Sequence, residues 1–170
     1  MTESVTVRIA TPADLPRLHP VIERAYRGDS ARQGWTHEAD LLSGERIDDA
    51  ALRAMLADPA QILLIAEQGD TALGCVSLTA RGDGLVYLGL LCVDPTRQAT
   101  GIGKVIIAAA ETASRNHLDA DRIEMTVIDS RAELIAYYER RGFVRTGECR
   151  PFPVAVVPPL SMVVLEKAIG

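Results

Sequence analysis

An apolar run that stops at a proline and restarts as a helix behind two glycines constrains this chain most: Leu91-Cys92-Val93-Asp94-Pro95, then Thr96-Arg97-Gln98-Ala99-Thr100-Gly101-Ile102-Gly103-Lys104 and an Ala-rich stretch. Proline removes a ladder donor and fixes φ, so a strand must end at Asp94-Pro95. From Lys104 onward, Val105, Ile106, Ile107, Ala108, Ala109, Ala110 and Ala113 read as a helix whose first turn opens on Gly101 and Gly103. The orphan amides of that turn point outward, and glycine lets a phosphate approach the backbone with no Cβ in the way. The spacing excludes two common phosphate sites. A P-loop needs glycine where Gln98 stands and Ser or Thr where Val105 stands, and a dinucleotide fingerprint needs a third glycine at Ile106.

A second pattern lies downstream. Ile123 to Ile128 reads as a strand, and Arg131 to Arg141 as a helix carrying Leu134, Ile135, Tyr137 and Tyr138, closed by Gly142-Phe143. Gln98-Ala99-Thr100-Gly101-Ile102-Gly103 followed by Tyr138-Glu139-Arg140-Arg141-Gly142-Phe143 resembles the Q/RxxGxG/A and YxxxGF signatures of the GNAT superfamily of N-acetyltransferases. The resemblance covers most of the chain. It implies a co-substrate, acetyl-CoA, whose pyrophosphate lies on Gln98, Ala99, Thr100, Gly101, Ile102, Gly103 and Lys104, and whose pantetheine arm and acetyl carbonyl meet the main chain of Leu91, Cys92 and Val93. It also implies that Tyr138 reaches the sulfur and protonates the departing thiolate. Arg131 stands where family members often carry a cofactor-contacting asparagine, and Thr126 where some carry a glutamate base.

The fold class expected is α+β, a mixed, mostly antiparallel sheet of six to seven strands flanked by helices, with one parallel β-α-β crossover at the cofactor site. The elements read from the pattern are a strand Val5–Ile9, a helix capped by Thr11 or Asp14 and running to Tyr26, and a helix from Asp48 or Asp49 to Leu56. A meander of Gln61–Glu67, Ala72–Ala80 and Leu85–Val93 follows, then the cradle helix, strand Arg122–Ile128, helix Arg131–Arg141, strand Val144–Cys149 and a last strand Ser161–Lys167. Arg27 to Glu45 reads as a connection with helix from about Thr36 to Leu42, and the proline-rich 150–159 segment as a loop.

At 170 residues and 48% hydrophobic content the expectation is one domain spanning residues 1–170. With neither a long apolar stretch nor a basic leader in the sequence, a cytoplasmic protein without membrane contact is expected. Cys75, Cys92 and Cys149 lack metal-ligand spacing, as do His19, His37 and His117, so no metal is expected. A net charge of −5 argues against nucleic acid and favours an amine-bearing partner. The state is monomer or homodimer.

Acetyl transfer to an amine needs a deprotonated nitrogen, a polarised carbonyl and a proton for the leaving thiolate. Tyr138 is the acid, its phenol protonated at neutral pH; of Tyr137 and Tyr138 one simply packs, and Tyr138 is alternatively structural too. Glu124 shares a strand face with Thr126 and either activates the amine, directly or through water, or serves as a salt-bridge partner. Lys104 adds charge to the cradle or is a solvated helix residue. The acceptor falls to Tyr26, Trp35 and Glu38 in the early irregular segment and to Arg150 and Phe152 in the late loop, with Trp35 alternatively anchoring its loop to the core. A cofactor-binding regulatory or scaffold module without turnover, and a transferase of longer acyl groups, are the alternatives.

Overall fold

The computed structural model describes residues 4–26, 48–94, 96, 101–151 and 161–170. Among them, seven strands form one sheet in the order β1-β2-β3-β4-β5-β7-β6. These are β1 (Thr6–Ile9), β2 (Gln61–Gln68), β3 (Thr71–Gly82), β4 (Leu85–Val93), β5 (Arg122–Ile128), β6 (Val144–Pro151) and β7 (Ser161–Ala168). Neighbours run antiparallel except β4 and β5, which are parallel. The helices are α1 (Leu15–Tyr26), α2 (Asp49–Ala57), α3 (Ile102–Leu118) and α4 (Ala132–Arg140).

Local chemistry sets the helix starts. Thr11 and Asp14 form a reciprocal capping box around a 3-10 turn, Pro12–Asp14, that leads into α1. The Asp48 carboxylate caps α2 by accepting from the Ala51 amide at 2.7 Å. Period-two alternation along the strands divides the core in two. One face packs Val76, Leu78, Val86, Leu88, Ile123, Met125 and Leu165 against Ile106, Ile107 and Ala110 of α3 and Ile135 and Tyr138 of α4. The opposite face packs Leu63, Ile65, Cys75 and Cys92 against Leu15, Leu18 and Ile22 of α1 and Leu52 of α2.

The mixed sheet with its single parallel pair agrees with the expectation from sequence, and the strands differ from it by a residue or two at their ends. One boundary matters. Arg150 was expected in a loop, whereas β6 continues through it to Pro151, paired with Ser161 of β7. Proline is tolerated there because β6 is an edge strand and its outer side needs no ladder donor. The expected helix from Thr36 to Leu42 lies outside the described residues. Among the described residues no helix is long and apolar enough to cross a membrane, and no group of three His, Cys, Asp or Glu side chains gathers as a metal site would.

Candidate active site

The centre of the sheet opens where β4 and β5 part. They pair only through Leu85–Arg122, Val86–Ile123 and Tyr87–Glu124, and neither continues its ladder with the other beyond that point. β5 stays paired with β7 along all seven of its residues, so it is β4 that leaves. A bulge redirects it: Cys75 pairs with Cys92 but Ser77 pairs with Gly89, placing Leu90 and Leu91 out of register. Leu90 has φ +48, a left-handed conformation that costs a non-glycine residue about 1–2 kcal/mol.

Two features of β3 hold this bulge. Gly74 gives the β4 backbone room, because a Cβ there would lie 2.3 Å from the Cys92 carbonyl oxygen. The Cys75 thiol lies 3.5 Å from the Leu90 carbonyl, to which it donates, and 3.4 Å from the Cys92 sulfur. Contact with Cys92, then burial, pushes the Cys75 thiol well above the usual range, so Cys75 packs and does not supply a nucleophile. Leu91, Cys92 and Val93 thus form a displaced strand end whose main chain turns from β5 toward the opening.

Across the opening, α3 begins on Gly101, which has φ +85. Among the described residues, no atom lies within 4 Å of where a Cβ on Gly101 would stand. Ile102 is buried in the core, Lys104 is exposed, and Gln98, Ala99 and Thr100 lie outside the described residues. The Tyr137 hydroxyl from α4 comes within 2.8 Å of where a Cβ on Gly103 would stand. Arg141 stacks on the same ring, 5.1 Å from its centroid, with its Nη1 buried and unpartnered. In the sequence the YxxxGF spacing selects Tyr138 and leaves Tyr137 to packing, with no signal that its hydroxyl reaches the start of α3.

Tyr138 lies on the inner face of α4, 8% exposed, edge-on to Tyr137 at 5.5 Å and to Phe143 at 6.1 Å. Burial, and then Tyr137, push its phenol well above the ordinary value, while Arg131 acts in the opposite sense. Arg131 is the N-cap residue of α4, its side chain 12% exposed. Its Nε donates to Glu133 at 3.2 Å, and its Nη2 is buried with no partner.

The face of β5 away from α3 carries Glu124 and Thr126. Glu124 is buried and receives both ends of the Arg150 fork: Nη2 to Oε1 at 3.0 Å and Nη1 to Oε2 at 3.3 Å. Arg150 also gives its Nε to Glu148 at 2.7 Å. Two residues assigned to separate duties, a base and an acceptor contact, are therefore halves of one ion pair, the salt-bridge alternative for Glu124. Thr126 shares a hydrogen bond with the Tyr87 hydroxyl at 2.9 Å, joining β4 and β5 just beyond their last paired residues. Trp35, Glu38 and Phe152 lie outside the described residues, as does the Tyr26 side chain at the end of α1. Sequence missed Leu90, Gly74 and Tyr87; of these only Gly74, a glycine inside a strand, carried a signal.

Residues 29–159 match the family model described as an acetyltransferase (GNAT) domain. A segment of 62 residues is 40% identical to mycothiol acetyltransferase of Salinispora tropica, covering 36% of this chain and about a fifth of that protein's length. The fold resembles an acetyltransferase of the GNAT family from Streptococcus pneumoniae, with TM-score 0.73 and 19% identity over 98% of this chain and 100% of that one. It also resembles the Escherichia coli ribosomal-protein-S18-alanine N-acetyltransferase, with TM-score 0.75 and 15% identity over 98% and 95%. A Salmonella typhimurium protein described as an acetyltransferase and solved with its cofactor acetyl-CoA gives TM-score 0.75 and 16% identity over the same shares. At these identities the structures speak for the fold alone.

Proposed function

The chain belongs to the GNAT acetyltransferases, and from that premise we propose that it moves an acetyl group from acetyl-CoA directly to a primary amine of a small molecule or peptide. The observation that carries this reading is the parting of β4 from β5 after Tyr87 and Glu124, with an open α3 start on one side and a buried tyrosine on the other. Those features suit the co-substrate. A pyrophosphate fits the outward amides of the first turn of α3 beside the bare Gly101, with Lys104 adding charge and Gln98, Ala99 and Thr100 completing the cradle. An extended arm fits alongside Leu91, Cys92 and Val93 on the side away from β3, where β4 no longer pairs with β5, and the buried Nη2 of Arg131 is a donor without a partner.

When bound, the thioester supplies an activated carbonyl and a thiolate leaving group. Main-chain donors beside the bulge polarise the carbonyl. Tyr138 protonates the sulfur, in a setting that burial keeps poor in water. Glu124 cannot take the amine proton while Arg150 holds both its oxygens; the pair instead forms a charged wall that orients the acceptor, and the nitrogen sheds its proton to water or to a Glu124 that Arg150 has released. Cys75 and Cys92 are absorbed in packing each other, which favours direct transfer over an acyl-enzyme.

The engaged state of Glu124, with Thr126 beside it on β5, favours one second reading: a module that binds acetyl-CoA without turning it over. One assay separates the two. Acetyl-CoA in large excess should raise the melting temperature, since a ligand that binds only the folded state must stabilise it. An amine panel followed by thiol release should then give turnover. Stabilisation with no turnover on any amine would support the module, and absence of stabilisation would remove both. Propionyl- and succinyl-CoA in the same assay test the longer acyl groups.

A further inference from the structure

Arg131 departs from the pattern its family resemblance implies and has no structural reason for its place. A cation at a helix N-cap sits at the positive end of the dipole and makes no capping hydrogen bond. Its side chain is nearly buried, held only through Nε by Glu133, itself 65% exposed, and its Nη2 has no partner. Along the chain it stands seven residues before Tyr138. Seven residues are almost two turns of α-helix, so the two share one face of α4. Among the described residues the titratable groups acting on Tyr138 are Tyr137, which opposes its ionisation, and Arg131, which favours it; Phe143, beyond the helix, adds only an apolar ring.

We propose that Arg131 is a positioning residue for the proton transfer: its guanidinium steadies the negative charge that Tyr138 carries after giving up its proton. The inference rests on the acyl-transfer reading above. In that step Tyr138 gives its hydroxyl proton to the sulfur, which keeps the electron pair of the broken carbon–sulfur bond. The phenolate left behind takes up, through water, the proton that the acceptor nitrogen sheds, so protons and charge balance over one turnover. A phenol buried among Tyr137 and Phe143 is by itself too weak an acid for this task, because a transfer is efficient only when donor and acceptor acidities are close. A fixed cation on the same helix face corrects the mismatch.

The test replaces Tyr138 with 3,5-difluorotyrosine, whose phenol ionises at a much lower pH, and follows its fluorine resonance against pH in the protein without co-substrate. Arg131→Met should move that ionisation upward by about half a pH unit or more, and Arg131→Lys should restore most of the shift. In unlabelled enzyme Arg131→Met should lower kcat about 10-fold or more, and Arg131→Lys should recover part of the loss. An unchanged fluorotyrosine titration in Arg131→Met would overturn the proposal, and so would a rise in KM for acetyl-CoA with kcat intact, which would make Arg131 a cofactor contact alone. If the wild type neither binds nor turns over acetyl-CoA, the functional reading fails, and the titration still decides how Arg131 acts on Tyr138.

Discussion

Two corners of this molecule make the same turn, from a strand into a helix, with opposite electrostatics. At the first, β1 passes into α1 over Asp14, a buried carboxylate in which every charge is answered. Arg8 donates to both its oxygens at 2.9 and 2.8 Å, Arg17 to Oδ1 at 2.9 Å, and the Thr11 amide to Oδ2 at 2.8 Å. Glu67 of β2 closes the set by accepting from both arginines. At the second, β5 passes into α4 over Arg131, a cation where a cap calls for a hydrogen-bond acceptor, with its Nη2 buried and unanswered. A closed network fixes one arrangement of the chain. An open one costs stability, and buried donors left without acceptors mark where a ligand is expected to supply them.

The contrast is most exposed to refutation at Tyr138. Tyr138→Phe removes one hydroxyl and little volume, so the fold and the affinity for acetyl-CoA should persist while kcat falls about 10- to 1000-fold, on the proposal that protonation of the thiolate limits the rate. Steady-state kinetics beside a binding titration measure both. An unchanged kcat would make Tyr138 a core residue and leave the open corner without the chemistry assigned to it.

The closed corner should answer in stability instead. Asp14→Ala strips the partner from Arg8 and Arg17 and removes a cap, and because Arg8 is 42% and Arg17 34% exposed the cost is moderated to about 2–3 kcal/mol. Chemical denaturation should show that loss with kcat per folded molecule unchanged. The pH dependence has a definite sign. Arg8 and Arg17 hold the carboxyls of Asp14 and Glu67 below their ordinary values of 3.8 and 4.5, so the folded state binds fewer protons than the unfolded one as pH falls through this range. The stability these groups contribute is complete above the unfolded values and drains away below about pH 4.5 toward the depressed folded values. In Asp14→Ala the acid limb should be flatter.

How far each corner could be read from sequence follows from what sequence encodes. Local signals were legible: Thr11 or Asp14 and Asp48 or Asp49 as caps, proline as a strand stop, glycine at the start of α3, alternation at Val5, Val7 and Ile9, and turn residues between β2, β3 and β4. These depend on neighbours within a few residues. Contacts across the sheet were not. Arg150 and Glu124 are 26 residues apart and meet only because β6 pairs with β7 and β7 with β5, which turned an expected base and an expected acceptor contact into one ion pair. Likewise Leu90 has an ordinary strand-forming side chain, and its φ of +48 arises from the bulge that β4 makes against Gly74 and Cys75, which side-chain type does not signal. Asp14 was legible as a cap, but Glu67 of the next strand was not legible as its neighbour.

A smaller effect tests the ligand-facing side of the open corner. Gly101 has φ +85 and, among the described residues, no atom within 4 Å of where a Cβ would stand, so Gly101→Ala should cost about 1–2 kcal/mol in backbone strain and weaken acetyl-CoA binding by placing a methyl group where phosphate is proposed to approach. Calorimetry and denaturation separate the two contributions. Strain with no loss of affinity would mean that the co-substrate does not reach this turn.

The smallest expected effect has the sign that divides the two corners. At Asp14 any neutral replacement should destabilise, because two cations lose a common partner. At Arg131 replacement by asparagine should stabilise the free protein, by about 0.5 kcal/mol. Three contributions lead there. A guanidinium with an unpartnered buried nitrogen is relieved of its desolvation cost, the positive end of α4 loses an adverse charge, and asparagine is a preferred N-cap residue. Two oppose it: the Nε contact to the largely exposed Glu133 contributes little, and the Arg131 backbone, at ψ 65, departs from the extended cap geometry, which keeps the gain small. Thermal denaturation without co-substrate should therefore place Arg131→Asn above wild type, while kinetics place it below. A variant both less stable and less active would show that Arg131 holds the fold together as Asp14 does, and the distinction between a closed and an open corner would fail at the residue chosen to define it.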